Sequence, residues 1–279
     1  MKRLLAIELQ KIWKNRASRI LTISYFGLLS LIALSASIKY DFGDFKIHFA
    51  EMGIFNFPFI WHFNVYIATL FKFFLGIIIV SMISNEYTYG TLKQNLIDGM
   101  SKKEFILSKF LTIAMFSLLS TLFIFLMSLL LGLSFSSYTE IEIIFSDLKY
   151  VAAYFFNLLG FFSLCLFLGV LIKRSAFALG FLIIWFLAEL ISYGYFYNVL
   201  NPIYKDTVAT IYSFMPMTSI SNLLVEPFSR LSVIQNMKSA VGENSVKDYD
   251  VHFSSILIVL LWTAIFIYSS YKIIKKRDL

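Results

Sequence analysis

Two charged side chains stand inside apolar runs of this 279-residue chain: Lys72 interrupts the run 61–83 and Glu189 the run 176–197. A charge at the centre of a membrane-spanning helix costs about 2.5–3.5 kcal/mol or more, so a retained one needs a partner or a polar pathway. Counted inward from Asn85 and Ser175 they lie 13 and 14 residues along. At the helical rise per residue both sit about 20 Å from the same boundary. The matched depths fit an ion pair, within one chain or across a dimer, or a shared polar path. They equally fit a pair that only keeps two spans in register.

Motifs for bond-making chemistry are absent from the sequence. A phosphate-cradling loop ends in Gly-Lys, and neither that dipeptide nor G-x-G-x-x-G occurs. His48, His62 and His252 stand outside any H-E-x-x-H pattern and are expected to be interfacial side chains near the outer surface. There is no G-x-S-x-G nucleophile elbow. The single Cys165 permits neither an intrachain disulfide nor a cysteine-based metal site. No catalytic, cofactor-binding or metal-binding residue is therefore assigned.

The connection 84–109 is too structured for a plain turn. Gly90 and Asp98-Gly99 bracket a short helical stretch with Leu92 and Leu96 on one face, and Ser101 with Glu104 forms an S-x-x-E capping box that starts the next helix. A short helix showing Leu92, Leu96 and Ile97 is a knob that the groove of a cytoplasmic partner can receive. An interfacial helix resting on lipid has the same periodicity.

The elements that position these residues follow from composition. Apolar residues make up 59% of the chain and charged residues 15%, with a mean hydropathy of +0.77 and 51 aromatic residues. That is a chain solvated by lipid rather than a soluble domain. Six spans are expected, at about 20–38, 61–83, 110–135, 151–172, 176–197 and 254–271, in one all-α transmembrane domain over 1–279. Residues 1–19 carry Leu5, Leu9, Ile12 and Trp13 on one helical stripe and read as an amphipathic interfacial helix rather than a signal peptide.

Sixteen Lys and Arg fall on the side of both termini and seven on the other, which makes the termini cytoplasmic and 198–253 an extracytoplasmic loop. Within it, 207–225 is apolar but interrupted by Pro216, so it is expected to dip partway into the outer leaflet as a re-entrant hairpin; 235–250 reads as a polar surface turn. The net charge of +7 lies beside apolar segments, which points to the lipid bilayer and away from nucleic acid.

The wording N-E-Y-x-Y-G-T-L-K-Q-N-L-I-D-G-x-S-K-K-E-F-x-x-S-K, ending at Lys109, resembles permease subunits of the ABC-2 type of ATP-binding cassette transporter. The resemblance extends to the basic N-terminal helix, the six spans and the long outer loop. It implies a permease homo- or heterodimer in the inner (cytoplasmic) membrane, each copy docked on a separate ATPase subunit that holds ATP and Mg. It also implies that the segment after span two is a coupling helix, with Glu86, Gly90, Thr91, Leu92, Leu96, Ile97, Gly99 and Ser101 making or shaping the contact. Export is the direction implied, and the Phe-rich spans suit lipid-like or amphiphilic molecules, peptides or drugs. The alternative is a stand-alone ion- or proton-coupled carrier using Lys72 and Glu189.

Overall fold

The computed structural model describes residues 2–38, 40–42, 45–47, 53–138, 140–200, 202–231, 234–235 and 247–277. Helix α1 (Lys2–Lys14) is separated from α2 (Arg16–Ser37) by Asn15, whose side-chain oxygen caps α2 by accepting from Ser18 N at 3.1 Å. A short antiparallel hairpin follows, β1 (Tyr40–Phe42) with β2 (Phe45–Ile47). It is the one departure from an all-helical fold among the described residues, and Tyr40, Phe42, Phe45 and Ile47 in it are aromatic or β-branched types that favour strands.

The second apolar run is two helices, α3 (Phe59–Leu70) and α4 (Lys72–Thr88), bent by 45°. At the break Phe71 N donates to Ala68 O at 3.1 Å, a tighter turn than the α-helical ladder. Next come α5 (Thr91–Ile97), α6 (Lys102–Phe135), the single turn α7 (Ile141–Ile144), α8 (Lys149–Ile172) and α9 (Ser175–Val199). The chain ends with α10 (Lys205–Ser213), α11 (Pro216–Asn222) and α12 (Phe253–Lys276). Among the described residues five helices are long and apolar enough to cross a membrane, or six spans where the bent α3–α4 pair is counted as one.

Helix α8 is the hub. Apolar on every side, it is buried almost throughout and packs against α12, α4, α6, α9 and α3. Its glycines let neighbours approach: a Cβ at Gly160 would lie 2.7 Å from Val259 Cγ1 of α12. The Tyr25 and Tyr154 hydroxyls bond to each other and tie α2 to the hub. By contrast, α2 and α9 turn large apolar side chains outward, Leu31 and Leu34 from one, Ile184 and Ile191 from the other. At the far end of α8, Arg277 donates to Val170 O at 2.6 Å and Leu171 O at 3.1 Å, a cation on the carbonyls that the helix leaves unpaired.

Candidate functional site

The link from α4 to α6 depends on two glycines. Gly90 and Gly99 have φ of +68° and +97°, a left-handed backbone that side chains with a Cβ disfavour, and between them α5 makes two turns. Beyond Gly99 the expected capping box is present: Ser101 Oγ accepts from Glu104 N at 3.1 Å, and Glu104 Oε2 accepts from Ser101 N at 2.9 Å.

The apolar face of α5 is divided differently from the expected knob. Leu92 is 2% exposed and points into the bundle, and Leu96 is half-buried against the core. Ile97, 75% exposed, and Tyr89, 74% exposed, are the large apolar side chains turned outward. A seven-residue helix has little stability alone, so its leucine pair is used to hold it to the bundle.

Glu86, buried in the last turn of α4, holds α5 from the other side. Its Oε2 accepts from Thr91 Oγ1 at 2.5 Å and Asn95 Nδ2 at 3.4 Å; its Oε1 accepts from Lys109 at 2.7 Å and Lys11 at 2.9 Å. Lys109 is 0% exposed and also donates to Glu8 Oε2 at 2.5 Å. Two carboxylates and two ammoniums thus join α1, α4, α5 and α6, with their charges balanced. Burial alone would lower the Lys11 pKa, but the bond to Glu86 and the charges of Glu8 and Glu86 outweigh it and raise the pKa above the ordinary lysine value.

Glu8, Lys11 and Lys109 escaped the sequence reading of the site. One signal was present: Glu8 is the sole acidic residue among the first forty, on an otherwise basic helix. Helix α1 packs against α6 and α2, with Glu8 and Ile12 buried and Trp13 exposed.

Within the chain the two intramembrane charges do not pair with each other, which removes the intrachain ion pair from the arrangements that their matched depths allowed. Lys72 Nζ donates to Asn157 Oδ1 at 3.0 Å and lies 4.9 Å from the centroid of the Phe161 ring. Asn157 Nδ2 in turn donates to Ile220 O of α11 at 2.6 Å. Glu189 Oε1 accepts from Trp185 Nε1 at 2.7 Å and Met217 N at 3.3 Å; its Oε2 accepts from Thr218 N at 2.8 Å and Thr218 Oγ1 at 3.0 Å.

Both charges therefore act on α11. Glu189 holds its N-terminal N–H groups, and Lys72 reaches a carbonyl near its C-terminus through Asn157, each with the sign that the helix dipole favours. The apolar stretch of the last loop is two short helices: α10 and α11 meet at Phe214–Met215, and Pro216 occupies the first turn of α11, where its missing N–H costs nothing.

His62 faces the interior of the protein rather than its surface. It is fully buried, bonds through Nε2 to Val225 O at 2.7 Å and stacks on Tyr150 with ring centroids 4.2 Å apart. His252 is exposed beside Asp248, while His48 and residues 236–246 lie outside the described residues. Among the described residues no group of three or more His, Cys, Asp or Glu is placed to hold a metal ion.

A bundle with five or six candidate spans, a short helix anchored at one end and broken helices packed at the other define a polytopic helical membrane protein. The chain belongs to the ABC-2 transporter family: the family described as ABC-2 family transporter protein matches residues 4–189, from α1 through Glu189 of α9. Over 62 residues it is 39% identical to the uncharacterized protein YhcI of Bacillus subtilis (strain 168). That stretch covers 22% of this chain and 20% of the relative, so the chain spans about one fifth of the relative it matches.

Proposed function

We propose that this chain is the permease subunit of an exporter whose ATP hydrolysis takes place in a separate ATP-binding cassette subunit. The observation that carries the reading is the anchoring of α5: Glu86 bonds Thr91 and Asn95 of α5 while joined to Lys109 of α6 and Lys11 of α1. Force applied to the exposed Ile97 and Tyr89 then passes into several helices at once instead of being absorbed by a loop. The ATPase subunit holds ATP and Mg and receives this face in a groove. Its closure moves α5 and shifts a permease dimer, of two copies or two related chains, between inward and outward openings. The excess of Lys and Arg on the α5 side supports a cytoplasmic face there, with both termini on it, in the cell membrane.

Tyr89→Asp with Ile97→Asp tests this, because both side chains are exposed and the fold does not depend on them. The tagged chain is purified from its native membrane and its partners identified. The expected result is an ATP-binding cassette protein that copurifies with the wild type and is lost from the double variant at unchanged yield. Recovery of the intact chain with no ATPase overturns the reading and returns the alternative of a carrier working alone.

A further inference from the structure

Between α9, α10 and α11 lies a cavity of about 390 Å³, within the range of about 300–1,000 Å³ that holds small molecules. Phe186, Tyr193, Ala209 and Met217 line it together with the polar Ser221 and Asn222, and among the described residues Glu189, 8% exposed, is its one charged lining residue. The four groups that bond Glu189 are all neutral: an indole N–H, two backbone N–H groups and a hydroxyl. They solvate the carboxylate but supply no counter-ion, and among the described residues it forms no ion pair. Glu8 and Glu86, buried to a similar degree, each have lysine partners. A negative charge without a counter-ion on the wall of a largely apolar cavity, with the rings of Phe186 and Tyr193 beside it, is an environment that recognises a cation carrying apolar groups.

We infer that this cavity binds an amphiphilic organic cation with Glu189 as its counter-ion. The same carboxylate holds the N–H groups of Met217 and Thr218, so a ligand cation competes with α11 for it and loosens the helix that walls the cavity. As a cargo site the cavity rests on the permease reading; as a binding site it does not.

The test uses the purified full chain in nanodiscs without any partner. Binding of radiolabelled tetraphenylphosphonium is measured, with tetraphenylborate as the anion of matched shape. Saturable binding of the cation alone is expected, weakened by at least about tenfold in Glu189→Gln, a loss of about 1.4 kcal/mol. Because Glu189→Gln also weakens the hold on α11, Ala209→Phe serves as a second variant: it fills the cavity, leaves the carboxylate in place, and is expected to abolish binding as well. No saturable binding to the wild type, equal binding of the anion, or affinity unchanged in both variants overturns the proposal. An ATPase complex that assembles normally while cation binding fails leaves the permease reading standing; cation binding without any ATPase partner leaves the cavity standing.

Discussion

The Lys109 ammonium lies 2.7 Å from the Glu86 carboxylate, and both side chains are buried although α5 and the capping box separate them in the chain. Glu8 faces the same ammonium from α1 at 2.5 Å. A buried ion pair adds little net stability over an apolar pair of the same shape, but removing one member strands the other. The arrangement therefore makes the joint between α1, α4, α5 and α6 all-or-none, as the proposed coupling role of α5 requires.

Lys109→Met leaves Glu8 and Glu86 with Lys11 alone and is expected to destabilise the chain by about 3–5 kcal/mol, read by SDS titration in detergent. The double variant Lys109→Met/Glu86→Gln should lose less than Lys109→Met by itself. Lys11→Met, at the half-exposed edge of the network, should cost under about 1 kcal/mol. Equal losses from the two lysines would argue against a closed buried network.

Gly90→Ala separates backbone strain from contact. Nothing lies within 4 Å of the added Cβ, so the cost comes from the +68° φ alone, about 1–2 kcal/mol. On the permease reading proposed above, the chain should still fold and bind the ATPase subunit, while stimulation of ATP hydrolysis falls because α5 is held less firmly. ATPase assays on the reconstituted complex read this, and full stimulation would show that the turn geometry is not part of the coupling.

Asn157→Leu removes the group that joins Lys72 to α11 and leaves the Ile220 carbonyl and the Lys72 ammonium without their partner. At about 1–3 kcal/mol for an unsatisfied buried group, local opening of α11 should become roughly tenfold more frequent. Ile220→Cys on a Cys165→Ala background reports it as the rate of thiol labelling. An unchanged rate would mean that Glu189 and packing are sufficient to hold α11.

Gly160→Val drives a side chain into Val259 at the contact of α8 with α12. The overpacking should cost about 1–3 kcal/mol, and Val259→Ala in the same chain should recover part of it. Thermal unfolding followed by size-exclusion chromatography distinguishes this from a lipid-facing glycine, at which the change would be silent.

The capping box at Ser101 and Glu104 and the glycines around α5 could be read without coordinates, because each rule acts within about five residues. The break at Pro216 was legible for the same reason. The bend at Phe71 was not: no proline or glycine stands between Val65 and Leu75 to mark it. Nor was the inward turn of Leu92, since periodicity shows that Leu92 and Leu96 share a face without showing what that face meets.

The charges make the same point most clearly. Composition and hydropathy determined that this is a helical membrane chain, and counting residues placed Lys72 and Glu189 at one depth, because rise along a helix is fixed at each step. Depth is only one coordinate. Which way each side chain faces depends on the rotation of its helix, and that is set by packing around α8. Only the tertiary structure therefore decided that Lys72 meets Asn157, that Glu189 holds α11, and that Glu8 and Glu86 share Lys109 across distant parts of the sequence.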